Sequence, residues 1–229
     1  MIDMTAVREL MSRFTPTRSI DYERIFRFRM KADDAAVLLA AHFAAEVQKR
    51  NRKPEFDSNI LEAIGSLSEF ITSPGHRFGF RLCGQCGNGK TTLMNAFREA
   101  VEYLNRRGHF DFLDDREYGH RFKPDFHILD VRDILDAAKN NPEKFREIKN
   151  YGMLGIDDLG KEPAEVVDYG NTLSPVTELI EYRYSRMLFT CVTTNLVESE
   201  VEAKYGTRIT DRLGEMLHKV RFQNMTYRR

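Results

Sequence analysis

The residues best suited to chemistry are Gly84-Gln85-Cys86-Gly87-Asn88-Gly89-Lys90-Thr91. They fit the phosphate-binding spelling of glycine, four residues, glycine, lysine, then serine or threonine. Phosphate oxygens need donors on several sides. Glycines let the backbone curl with its N–H groups inward, and a following helix adds the positive end of its dipole. Gly84, Gly87, Asn88, Gly89 and Thr92 are expected to line the phosphates, Lys90 to reach the terminal ones as a point charge, and Thr91 to offer its hydroxyl to Mg²⁺. The apolar run Phe80-Arg81-Leu82-Cys83 precedes the loop and the helix-like Thr92-Leu93-Met94-Asn95-Ala96-Phe97 follows it. That strand–loop–helix setting separates the motif from a chance Gly-rich turn.

A second stretch, Tyr151-Gly152-Met153-Leu154-Gly155-Ile156-Asp157-Asp158-Leu159-Gly160, is mostly apolar and ends in carboxylates. A buried central strand reads this way where it delivers acidic groups to the edge of a sheet. Asp157 is expected to hold Mg²⁺ through water, opposite Thr91, and Asp158 to orient or deprotonate an attacking water. Strands often end in Asp merely to start a turn; the phosphate loop in the same domain makes the acidic pair its expected partner. Asn195, at the end of the strand-like Leu188 to Thr193, has the same two readings: a turn residue, or a third polar group holding the water. Arg208 and Arg212, four residues apart, share a helix face. Either they are surface arginines, one paired to Asp211 or Glu215, or one is an arginine finger, which contributes several orders of magnitude in rate at a γ-phosphate.

The elements that must position these groups follow from length and pattern. At 229 residues the chain accommodates one α/β domain and a modest extension. Lys plus Arg equals Asp plus Glu, so a globally basic nucleic-acid binder is excluded and any such surface must be local. The most apolar piece, Ala35 to Ala45, is too short to span a bilayer, and the N-terminus lacks a signal-peptide core, so a cytoplasmic protein without membrane contact is expected. Three cysteines suit that compartment. Cys83 and Cys86 have CxxC spacing, but Cys86 lies in the phosphate loop and no second pair completes a zinc site. Cys191 reads as a small core residue.

Residues 1–55 read as a helical N-terminal segment suited to partner binding, and 56–229 as the catalytic core. Pro16 interrupts any helix begun by Thr5 to Phe14. Ile25, Phe26, Phe28 and Met30, then Val37, Leu38, Ala41, Ala44 and Val47, recur at helical spacing. Lys49-Arg50-Asn51-Arg52-Lys53-Pro54 reads as a solvated helix end, ahead of a nucleic-acid patch. Asp57 or Ser58 caps a helix bearing Ile60, Leu61, Ile64, Leu67, Phe70 and Ile71 and stopping at Ser73-Pro74-Gly75. The helix after the loop buries Leu93, Ala96, Phe97, Val101 and Leu104. Gly108 to Pro124 contains a short strand at Phe110-Asp111-Phe112 and otherwise reads as a charged, solvated insertion. Strands at Phe126 to Leu129, in the acidic stretch, at Leu188 to Thr193 and at Lys219 to Phe222 join the first to give five candidates alternating with helices. The alternation predicts an α/β fold, a five-stranded parallel sheet covered on both faces.

In this order and spacing, four segments carry a resemblance: the phosphate loop with Thr92-Leu93; Leu154 to Gly160; Glu181-Tyr182-Arg183-Tyr184 followed by Thr193-Thr194-Asn195-Leu196; and Gly206-Thr207-Arg208-Ile209-Thr210-Asp211-Arg212-Leu213. From about Asn59 to Phe222 the chain resembles the AAA+ P-loop ATPases of the bacterial replicative-helicase loaders (DnaC type) and the IstB-type transposition helpers. The resemblance implies ATP and Mg²⁺ as cofactors and hydrolysis to ADP and phosphate. Lys90 and Thr91 take the Walker A roles, Asp157 and Asp158 the Walker B roles, and Asn195 the sensor-1 role. Arg212 is the finger on a neighbouring subunit's nucleotide, so self-association is implied. Asp158 stands where Glu is commoner, implying slow hydrolysis suited to a switch. Only Gln223 to Arg229 follow the core, so no C-terminal lid is expected. The implied partners are single-stranded DNA and a replicative helicase; a transposase is the partner if the helper reading holds. Two rivals differ in class. A small-molecule or nucleotide kinase would need the 108–124 insertion as its lid, and a nucleotide-binding scaffold would show no turnover.

Overall fold

The computed structural model describes residues 26–108, 113–114, 121–122, 124–162, 166–168 and 171–223. Helices α1 (Ala32–Gln48) and α2 (Ser58–Thr72) come first, then β1 (Gly79–Cys83) and α3 (Lys90–Arg106). A small hairpin of β2 (Leu113–Asp114) and β3 (Arg121–Phe122) precedes β4 (Phe126–Asp130), α4 (Val131–Asn140), α5 (Pro142–Asn150) and β5 (Met153–Leu159). A second hairpin, β6 (Val166–Asp168) with β7 (Asn171–Leu173), leads into α6 (Pro175–Ser185). The described chain closes with β8 (Phe189–Thr194), α7 (Glu198–Tyr205), α8 (Thr207–Met216) and β9 (His218–Arg221).

The five long strands form one sheet in the order β4-β5-β8-β1-β9, all parallel, as the alternating pattern predicts. The central strands β1, β5 and β8 are the apolar runs, because helices on both faces bury both sets of alternating side chains. On one face, α1, α2 and α3 pack over Phe80, Leu82, Met153, Phe189, Cys191 and Val220. On the other, α4, α5, α6 and α8 pack over Leu154, Ile156 and Val192. The first face is aromatic. Phe97 of α3 lies 5.0 Å from Phe80, 5.1 Å from Phe126 and 5.8 Å from both Phe28 and Phe189, ring centre to ring centre. Edge-on and stacked pairs of this kind contribute about 1 kcal/mol each beyond area burial. Among the described residues no helix is long and apolar enough to cross a membrane.

The predicted stripes of α2 and α3 are buried, apart from Leu61, which is exposed, and Asp57 caps α2 by accepting from Ile60 N–H at 3.0 Å. Two expectations fail near the N-terminus. Residues 26–30 are not helical: Phe26 and Phe28, two apart, are both buried, and Phe28 N–H donates to Ile71 O at 2.7 Å. The inward face of α1 is Ala35, Leu39, Phe43 and Glu46, whereas Val37 and Ala41 face out. Alanines all round this helix leave several faces nearly equal in apolarity, so spacing alone selects poorly. Phe26 to Phe43 share one core with α2 and α3. The helix Thr5 to Phe14, Ile25 and the strand Phe110 to Phe112 lie outside the described residues.

Arg81 of β1 faces the second layer and is nearly buried; its Nη2 donates to Glu198 of α7 at 2.8 Å, and Lys219 Nζ of β9 donates to the same carboxylate at 2.6 Å. The Lys219 and Arg81 hydrogen bonds hold the Glu198 carboxyl down at about 2, from an ordinary 4.5. A carboxyl with a depressed folded-state pKa adds stability above its unfolded value that is lost as pH falls. Glu198→Gln is therefore expected to lower the urea midpoint at pH 7, with the gap to wild type closing as pH falls from about 4.5 towards 2. A gap independent of pH would show that the ion pairs are not its source.

Candidate nucleotide site

Between β1 and α3 the loop turns on glycines. Gly84 (φ 155°) passes so close to Asn88 and Phe222 that a Cβ would lie 2.4 Å from Asn88 Nδ2 and 2.7 Å from Phe222 O. Gly89 (φ 96°) sits in the left-handed region as the N-cap of α3. Lys90 begins that helix and bends back into the loop, its Nζ donating to Gly84 O at 2.6 Å, Gln85 O at 2.7 Å and Asn88 Oδ1 at 3.0 Å. Burial pushes its pKa down. A cation kept out of water at a helix N-terminus is what a phosphate group would meet.

The acidic stretch arrives through a break in β5. In a regular strand adjacent side chains face opposite ways, so neighbouring carboxylates could not both address the loop. Pairing between β5 and β8 shifts register between Ile156 and Leu159, and Asp158 adopts φ 62°. This bulge lets Asp157 reach Thr91, whose Oγ1 donates to Asp157 Oδ1 at 3.0 Å, while Asp158 lines the cavity beside the loop. A non-glycine residue in the left-handed region is uncommon and costs of order 1 kcal/mol; such outliers gather at functional sites.

Thr193 ties the pair together. Its hydroxyl donates to Asp157 at 2.5 Å and accepts from Asp158 N–H at 2.8 Å. Burial pushes the Asp157 carboxyl upward, the Thr193 and Thr91 hydrogen bonds oppose that shift, and Asp158 and Asp130 add to it. Two oxygen groups, one a desolvated carboxylate beside others of like charge, fit a hard divalent cation such as Mg²⁺. The loop fits phosphate as well: Asn88 is fully buried, and its Nδ2 finds no acceptor among the described residues.

Asn195 follows β8 and lines the same cavity; Thr194 fixes the turn by donating to Leu159 O at 2.7 Å and accepting from Leu196 N–H at 3.1 Å. Arg208 and Arg212 are not among the residues lining it. Neither pairs with Asp211 or Glu215. Both reach Glu181 of α6, Arg208 Nε at 3.1 Å and Arg212 Nη1 at 2.6 Å, and the Arg212 guanidinium stands 5.1 Å from the Tyr184 ring centre.

The cavity holds about 450 Å³, the size range of small-molecule sites. It is also lined by Phe43, Val47 and Ile60 and by Arg50, Arg52 and Lys53. The basic run is thus not simply a solvated helix end: it lies beyond α1 and lines the cavity, with Arg50 Nη1 3.4 Å from Thr92 Oγ1. Sequence reasoning also passed over Thr193 and Lys161. The first is signalled only by hydroxyls in an otherwise apolar strand, the second by a charge three residues after Asp158.

Neither a protein-family model nor a curated protein matches the chain. Among solved structures, the crystal structure of the DnaC helicase loader is similar over 74% of this chain and 93% of that one, at 19% identity and a TM-score of 0.55. The crystal structure of DnaI is similar over 76% and 87%, at 22% identity and a TM-score of 0.54. With its parallel sheet order and helical layers, this chain has an α/β P-loop fold similar to that of the DnaC helicase loader and DnaI structures.

Proposed function

We propose that the chain is an ATP-binding and ATP-hydrolysing switch of the helicase-loader kind. It binds single-stranded DNA and a replicative helicase, and couples hydrolysis to loading or release of that partner. The observation that carries the nucleotide chemistry is the 3.0 Å contact of Thr91 with Asp157 beside a buried Lys90. Bound Mg²⁺, held by Thr91 and Asp157, would supply charge neutralisation at the transferring phosphoryl group. Lys90 and the loop N–H groups carry the phosphate charge, with Gly84, Gly87, Asn88, Gly89 and Thr92 around them. Asp158 accepts the proton of the attacking water or orients it, and Asn195 holds that water from the adjacent strand end. The fold likeness to the DnaC helicase loader and to DnaI supports the replication setting. Residues 1–55 are assigned the partner contact and 56–229 the ATPase core.

Arg212 is assigned to the nucleotide of a neighbouring copy. That it does not line its own cavity supports action in trans, with Glu181 and Tyr184 holding its guanidinium. ATP turnover measured with and without single-stranded DNA tests the reading. Wild type is expected to be DNA-stimulated, with specific activity rising with protein concentration, and Arg212→Ala to lose about 100-fold or more. Turnover untouched by Arg212→Ala removes the finger, and no turnover in wild type removes the ATPase. Co-purification with a hexameric helicase rather than a transposase separates the loader from the transposition helper.

A further inference from the structure

Lys161 lines the same cavity as Lys90, Asp158 and Asn195, and the roles above leave it none. Its Nζ lies 2.5 Å from Asp158 Oδ2, and its backbone N–H donates to Asp158 O at 3.0 Å. The turn between them passes through Gly160 and is fastened from the far side. Buried Glu162 accepts from Gly160 N–H at 2.9 Å and from the Tyr205 hydroxyl, while Lys204 Nζ donates to Gly160 O at 2.8 Å and to Glu162 O. A turn anchored on α7 thus presents one ammonium to the cavity beside Asp158. Phe43, Val47 and Ile60 are the apolar residues of the lining, suited to a base, and Phe43 and Ile60 stand against Gly89 at the start of α3.

Resting on the reading of this cavity as a nucleotide site, we propose that Lys161 discriminates nucleoside triphosphate from diphosphate, its ammonium pairing alternatively with the Asp158 carboxylate or with the terminal phosphate. With the base on the apolar lining and the first two phosphates in the loop, the third phosphate is the one that meets Lys161 and Asp158. A terminal phosphate carries more negative charge and more acceptor oxygens than one carboxylate, so it outcompetes Asp158 for the ammonium. The exchange leaves the Asp158 carboxylate free to face water only when a triphosphate is bound. Binding of the triphosphate and readiness of the carboxylate are thereby one event.

The test is equilibrium binding of ADP and of a β,γ-methylene ATP analogue, each with Mg²⁺, to wild type, Lys161→Met, Lys161→Arg, Asp158→Asn and the Lys161→Met/Asp158→Asn double variant. Lys161→Met is expected to weaken the analogue by about 10-fold or more, the usual size for a hydrogen bond to a charged group, with ADP changed less than about twofold. Lys161→Arg retains most of the preference. Asp158→Asn removes the competing partner and tightens the analogue severalfold, a gain that the double variant loses because it depends on Lys161. Equal loss for both ligands in Lys161→Met, or no loss for either, overturns the inference while leaving the nucleotide site standing. Wild type that binds neither ligand overturns both.

Discussion

Lys90→Ala is expected to abolish nucleotide-induced thermal stabilisation while leaving a folded protein. A ligand at about 100 times its dissociation constant adds about 2.7 kcal/mol of stability, a rise of several degrees for a chain of this size. That rise disappears in the variant, and any ATP turnover falls by about 100-fold or more. The fold survives because Lys90 contributes little net stability. Its three acceptors, Gly84 O, Gln85 O and Asn88 Oδ1, belong to its own loop beside the cavity, and its burial already opposes the charged form. The unligated variant should unfold within about 1–2 kcal/mol of wild type. Differential scanning fluorimetry with and without ADP and Mg²⁺ reads both numbers; a full nucleotide-induced shift in Lys90→Ala would remove the phosphate assignment of the loop.

The largest loss of stability is expected at Arg183, far from any reacting atom. Its side chain is fully buried. Nε donates to Thr190 Oγ1 at 2.9 Å, Nη1 to Tyr151 O at 2.7 Å and Lys149 O at 3.2 Å, and Nη2 to Phe189 O at 2.7 Å. Burial pushes its pKa down to about 9, which still leaves a cation at neutral pH. One planar group thus fastens α6 to the end of α5 and to the start of β8, its charge balanced by carbonyl dipoles. Arg183→Leu supplies the volume but none of the five-donor fork, leaving buried acceptors without donors at about 1–3 kcal/mol each. A total loss of about 3–5 kcal/mol follows, or roughly 10 °C in the thermal midpoint. Arg183→Lys, with one donor head in place of a fork, recovers only part. Urea unfolding followed by circular dichroism measures this, and a change below about 1 kcal/mol would contradict the clamp.

How far the sequence reveals this molecule depends on the range over which each feature is determined. The phosphate loop, the stripe of α3 and the apolar strands are written in consecutive residues, and the structure brings Thr91 and Asp157 together as their motifs imply. Arg183 is visible in sequence only as part of a motif; its burial depends on carbonyls contributed by residues 149, 151 and 189, which no local pattern announces. The hairpins β2–β3 and β6–β7 have strands of only two or three residues, too short to show a period. Arg50, Arg52 and Lys53 read as a helix end because nothing in their spacing records that α1 packs against α3 and delivers them to the phosphate loop.

The bulge in β5 also limits which residues position 158 can accept. At φ 62° the backbone favours Gly, which has no Cβ, and among L-residues Asn and Asp, whose short side chains bond locally. The shorter acid at this place is thus the one its backbone favours. A longer acid lacks the local hydrogen bonding that offsets this conformation, so Asp158→Glu adds backbone strain at the bulge. The choice of carboxylate and the path of the strand are thus coupled at this one position.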